Sequence, residues 1–158
     1  MPGGRSVPGL GLVRLPVRPS WLLLIGAGGS LGTALRAALE TAFAPAPGQW
    51  PWVTFWINVS GSFVLGALLP ALTQTGEDQG WRRAARLGVG TGVLGGFTTY
   101  STFSVEAVQL ARAGAWPVGA GYALGSVVAS VLAATAAMWG VRRLLRRWHS
   151  NPRPGGAA

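Results

Sequence analysis

GGFTTYSTF, residues 95 to 103, decides the fold of this 158-residue chain. It lies inside an otherwise apolar stretch, yet it holds two adjacent glycines, the hydroxyl residues Thr98, Thr99, Ser101 and Thr102, and the rings of Phe97, Tyr100 and Phe103. Lipid offers no partner to backbone groups freed by a helix break, so such a break persists at membrane depth only where it faces protein, water or an ion. The run therefore predicts an interrupted membrane-crossing helix and a functional site at once.

The surrounding composition agrees with a membrane setting. Hydrophobic residues make up 49% of the chain and charged residues only 11%, against about 25% in soluble domains. There is no lysine; all 13 cationic side chains are arginine, and the net charge is +9. A soluble protein this basic would suggest nucleic-acid binding, but here the arginines sit at the edges of apolar runs, so no nucleic-acid partner is expected. Cysteine is absent, His149 is the single histidine, and the acids are Glu40, Glu77, Asp78 and Glu106. That inventory is too small for a hydrolase or oxidoreductase with its own acid and base, and the chain is not expected to be an enzyme.

Four apolar stretches each reach the ~20 residues a membrane helix requires: residues 21–43, 52–72, 87–111 and 116–144. The turn APAPGQWPW separates the first two, the polar QTGEDQGWRR separates the next two, and the short link from Arg112 to Pro117 predicts a tight final hairpin. Trp21, Trp50, Trp52, Trp81, Trp116 and Trp148 fall at or near the proposed ends, where amphipathic rings favour the headgroup layer. The fold class expected is an all-α membrane protein of four transmembrane helices with the third broken. Residues 20–147 are expected to form one four-helix membrane domain, between a basic segment at 1–19 and a tail at 148–158, both expected to be disordered from their Pro, Gly and Arg content. A cleaved leader ending near Ala44-Pro45-Ala46 is disfavoured because the apolar run is long and contains Arg36 and Glu40.

Arginine placement gives the orientation. Arg5, Arg14 and Arg18 precede the first span, Arg82, Arg83 and Arg86 follow the second, and Arg142, Arg143, Arg146 and Arg147 close the fourth. All fall on one side of a four-span protein, which predicts a plasma-membrane protein with both termini cytoplasmic. Glycines four apart (28 and 32; 88, 92 and 96; 121 and 125) predict close helix packing. The stretch LLLIGAGGSLG does not make a dinucleotide-binding turn, because the sixth fingerprint position is Leu31 and the first acid, Glu40, comes too early.

Polar residues within spans point to function. Thr54, Asn58 and Ser62 recur every four residues, as do Tyr122, Ser126 and Ser130, and each set forms one stripe along its helix. Hydroxyls and an amide donate hydrogen bonds, and no mid-span carboxylate favours a cation or carries a proton. Aromatic edges are also positive. A small, strongly hydrated anion suits such a lining.

These residues carry a resemblance to the Fluc/CrcB fluoride channels, which are four-helix proteins assembled as antiparallel dimers. It covers all four spans, through GGSLGTALR at 28–36, FWINVSGSFVLG at 55–66, GVLGGFTTYSTFSVE at 92–106 and GYALGSVVAS at 121–130. The resemblance implies passive fluoride export, with an anion pore formed by Asn58, Thr99, Tyr100, Ser101, Phe103, Tyr122, Ser126 and Ser130. It further implies a structural, untransported sodium ion (Na+) held by backbone carbonyls of Gly95 and Thr98. Tyr100 stands where the family often has phenylalanine. Arg36 matches a first-helix arginine, and either a vestibule role or packing beside Glu40 is open to it; Glu106 is expected at a rim or hydrogen-bonded.

The expected partners are fluoride, membrane lipid and a second subunit. An antiparallel homodimer would insert half its copies against the arginine bias, so a heterodimer with an oppositely biased homologue is favoured over a homodimer. The alternatives are a small multidrug-type proton antiporter, which would need a carboxylate deep in the first span, and a basic membrane anchor for other partners.

Overall fold

The computed structural model describes residues 18–150, and the chain is all helical among them. In order come α1 (Pro19–Ala42), α2 (Trp52–Gln74), α3 (Gly80–Ala85), a π-helical stretch (Arg86–Leu94), α4 (Gly95–Phe97), α5 (Ser101–Arg112) and α6 (Trp116–Ser150). Three of these, namely α1, α2 and the 116–148 part of α6, are long and apolar enough to cross a membrane. Most of the segment drawn at 1–19 lies outside the described residues, as does the tail from 151 onward. α6 itself runs to Ser150, past the boundary at 148.

Local sequence explains the ends. Pro19 opens α1, at a position where its missing N–H has no intrahelical partner to lose. Pro51 precedes α2. The hairpin between α5 and α6 turns through Gly114 at φ +77°, with Ala115 N donating to Leu110 O at 2.9 Å; a left-handed glycine closes a helix C-terminus without Cβ strain.

α2 packs mainly along α6, while α1 packs on the π-helical stretch and α4. α2 and α6 run in the same direction: Thr54 and Tyr122 share the Glu106 carboxylate, and further along Gly66 lies against Ala134. α1 approaches its neighbour backbone to backbone. A Cβ on Gly32 would meet Val93 O, and one on Gly92 would lie 3.0 Å from Ile25 O. Gly121 and Gly125 differ from the expectation, because the Trp50 indole occupies the space beside them and no second helix does.

The segment expected to be the third span, which is not among the three helices named above, departs from the prediction in three respects. It begins at Gly80, and its first half is π-helical over nine residues. The glycine pair does not make the break: Gly95 is helical at φ −64°, ψ −33°, and the chain turns at Thr98, ψ 152°. Gly96 instead allows contact with Gly29 O on α1. Thr98 ends α4 by sending both its amide (3.0 Å) and its hydroxyl (2.9 Å) to Leu94 O.

Candidate functional site

The break is held from α2 by one side chain. Asn58 Nδ2 donates to Thr99 O at 3.0 Å, and Asn58 Oδ1 accepts from Thr99 N at 2.8 Å. An amide offers donor and acceptor side by side, so it matches both the N–H and the C=O of one residue whose backbone has left the helix. Thr99 Oγ1 accepts the Thr102 amide at 3.1 Å, which satisfies one of the N–H groups orphaned at the start of α5. The same hydroxyl donates to Thr102 Oγ1 at 3.1 Å and lies 3.3 Å from Ser101 Oγ.

These bonds redirect two amides. In an unbroken helix Thr99 N would serve Gly95 O and Thr102 N would serve Thr98 O; here they serve Asn58 and Thr99 Oγ1. Gly96 O receives Arg36 Nε at 3.3 Å and Thr33 Oγ1 at 3.4 Å from α1. The carbonyls of the break thus fall into two sets. Gly96 and Thr99 receive side chains, whereas Gly95, Phe97 and Thr98 have lost their helical donors.

A cleft of about 310 Å³ opens beside the break. Asn58 and Ser62 of α2, Thr98 to Tyr100, Phe103 of α5, and Ser126 and Ser130 of α6 line it with Val127 and Val131. Ser126 Oγ is buried with no hydrogen-bond partner; among the described residues only Trp50 Nε1 shares that condition. A buried unpartnered hydroxyl is uncommon and calls for a ligand or water. The rings continue from Tyr100 to Phe103 (6.0 Å between centroids) and on to Tyr122 (5.3 Å).

Not every predicted site residue reaches the cleft. Tyr122 is fully buried behind Phe103, and its hydroxyl donates to Glu106 Oε2 at 2.7 Å. Thr54 donates to Glu106 Oε1 at 2.8 Å. The stripes therefore divide: their outer members load the carboxylate, and their inner members line the cleft. Ser101 is exposed and meets the site only through Thr99. Glu106 lines a second cavity of about 330 Å³ beneath the proline-rich turn, with Gln109. Arg36 pairs with Glu40 at 3.1 Å.

Trp50 was predicted only as an interfacial ring, but it packs edge-on to Tyr122 at 5.6 Å. Nothing in the sequence sets it apart from the other terminal tryptophans.

The profile of the family described as CrcB-like protein, Camphor Resistance (CrcB), matches residues 23–138. This chain belongs to the CrcB-like family. Among CrcB-like relatives, the fluoride-specific ion channel FluC 1 of Cutibacterium acnes is 46% identical over 125 residues, which make 79% of this chain and 87% of the relative. The fluoride-specific ion channel FluC 2 of Nocardia farcinica is 40% identical over 130 residues, covering 78% and 89%. The fluoride-specific ion channel FluC of Novosphingobium aromaticivorans is 44% identical over 110 residues, covering 68% and 84%. These relatives are named as channels and not as enzymes.

Proposed function

We propose that the chain forms a fluoride-selective channel that lets the ion leave the cytoplasm passively across the plasma membrane. The observation that carries this reading is the cleft in which the Asn58 clamp, the Tyr100 and Phe103 rings and the unpartnered Ser126 hydroxyl meet. A partly dehydrated anion needs several weak donors in place of its water, none strong enough to stall its exit. Ser126 and Ser130 supply hydroxyls, and the rings present positive edges. From the cleft the ion passes the Phe103–Tyr122 pair toward the second cavity. Glu106 does not oppose it as a bare charge, because both carboxylate oxygens already accept hydrogen bonds.

In this reading the segmented run from Gly80 to Arg112 makes the third of four crossings, both termini are cytoplasmic, and two subunits pair antiparallel. The partner is an oppositely biased homologue, or a second copy. Gly95 O and Thr98 O, which have lost their helical amides, suit a hard cation that takes carbonyl oxygens. A structural sodium ion bound there would offset the negative ends of these carbonyls. Purified protein in liposomes, with any homologous partner subunit supplied, is expected to release fluoride and retain chloride, as read with ion-selective electrodes. Vesicles that hold fluoride as tightly as empty ones sink the proposal, and dimers of this chain alone that conduct remove the need for a second subunit.

A further inference from the structure

Building on the channel reading, we infer that Arg36 is a positioning residue that fixes the break from the α1 side, and so determines which carbonyls remain available to the cation. Its guanidinium reaches both half-helices at once. Nε donates to Gly96 O of α4 at 3.3 Å, and Nη1 donates to Thr102 Oγ1 of α5 at 3.4 Å. Thr33, one turn earlier on α1, adds a second donor to Gly96 O at 3.4 Å. Glu40, one turn later, orients the fork through its 3.1 Å ion pair.

The pattern is complementary to the Asn58 clamp. Asn58 grips Thr99 from α2 and Arg36 grips Gly96 from α1, and neither clamp takes the carbonyls of Gly95 and Thr98. Without the α1 clamp, Gly96 O is free to reclaim a helical amide or to compete as a cation ligand. A point charge cannot substitute, because bridging two acceptors on separate elements uses the fixed donors of the planar guanidinium. Arg36→Lys keeps the charge and removes the fork.

The test reads sodium binding apart from transport. Melting of the full dimer is followed while sodium replaces a large organic cation, for wild type, Arg36→Lys and Thr33→Val. Arg36→Lys is expected to need about tenfold more sodium for the half-maximal shift, the loss of one hydrogen bond from a charged donor. Thr33→Val is expected to need about threefold more, for one neutral bond. Fluoride efflux should fall in the same order. A lysine variant with wild-type sodium dependence and flux overturns the inference in favour of a charge that merely attracts anions. Should Arg36→Lys fail to fold, Thr33→Val decides: an unchanged sodium midpoint refutes the clamp. Wild-type protein that shows the sodium shift but passes no fluoride would reject the channel reading and leave the clamp standing.

Discussion

The two halves of the interrupted helix are built from different chemistry. Before the break, Gly88, Gly92 and Gly96 bring the backbone against α1, and side chains bond to it at Gly96 O, from Arg36 and Thr33. After it, Thr99, Thr102 and Glu106 reach out to side chains and backbone from α1, α2 and α6. The first half is a packing surface, and a Cβ added at Gly88, Gly92 or Gly96 would press on α1. The second is a polar network, in which volume matters less than whether each donor finds its acceptor. Steric changes should therefore abolish the fold in one half, and chemical changes should abolish conduction in the other.

The largest effect is expected at Gly32. A Cβ there would meet Val93 O and would also lie 2.8 Å from Phe97 N, and both atoms are backbone, so the helices must separate. Gly32→Val should cost roughly 3 kcal/mol or more, at or beyond the usual range for overpacking, and should appear as loss of folded protein on size exclusion. Gly26→Ala is the control, because nothing lies within 4 Å of the added atom. Equal behaviour of the two variants would break the contrast between the halves.

Asn58→Asp tests the other half. The carboxylate still accepts from Thr99 N but cannot donate to Thr99 O, and it adds a negative charge on the proposed anion path. Leaving one buried acceptor unpaired costs about 2 kcal/mol, so electrode-measured fluoride efflux should drop at least thirtyfold, about that energy, while the protein still folds. Undiminished efflux would place Asn58 off the path.

Much of this architecture was legible beforehand, because it rests on residue types that have few other uses inside a membrane. GGFTTYSTF marked the interruption, and the Asn58 and Ser126 stripes marked the cleft wall. The position of the turn was not legible. Two glycines signal permissive backbone, but here their lack of Cβ serves close approach to Gly29, and the turn is made one residue past α4, where the Thr98 hydroxyl and amide converge on Leu94 O. The π-helical stretch was equally hidden, since spacing alone does not tell a wider turn from an ordinary one. Nor could the sequence show that Asn58 holds the backbone as well as facing the cleft, a pairing that depends on the register between α2 and the break.

A smaller effect is expected at Tyr122. Tyr122→Phe keeps the ring against Phe103 and Trp50 and deletes the 2.7 Å bond to Glu106. The loss should be about 1–3 kcal/mol, the range for a buried acceptor left without its donor, and is measurable as a fall in melting temperature. A double-mutant cycle with Glu106→Gln sharpens the comparison, because residues in one network couple whereas separate ones add. Strict additivity would mean that the second half is not a connected network.

The smallest effect is expected at Asp78, in the polar link between α2 and α3. Its carboxylate meets Arg86 Nη2 at 2.7 Å and Arg83 Nε at 3.5 Å, and the Arg86 hydrogen bond holds its pKa below the usual aspartate value. A depressed folded-state pKa stabilises the protein at neutral pH, and that contribution fades as acid protonates the group, below the ordinary aspartate value of about 4. The site is open to solvent, where water and salt screen the pair and long side chains lose entropy in making it. Asp78→Asn should therefore melt with wild type at pH 7 to within the scatter of the measurement, and any residual difference should shrink with added salt and disappear in acid. A large drop at pH 7 that survives high salt would show that this exposed cluster anchors the start of the third crossing, and that the glycine contacts are not its only support.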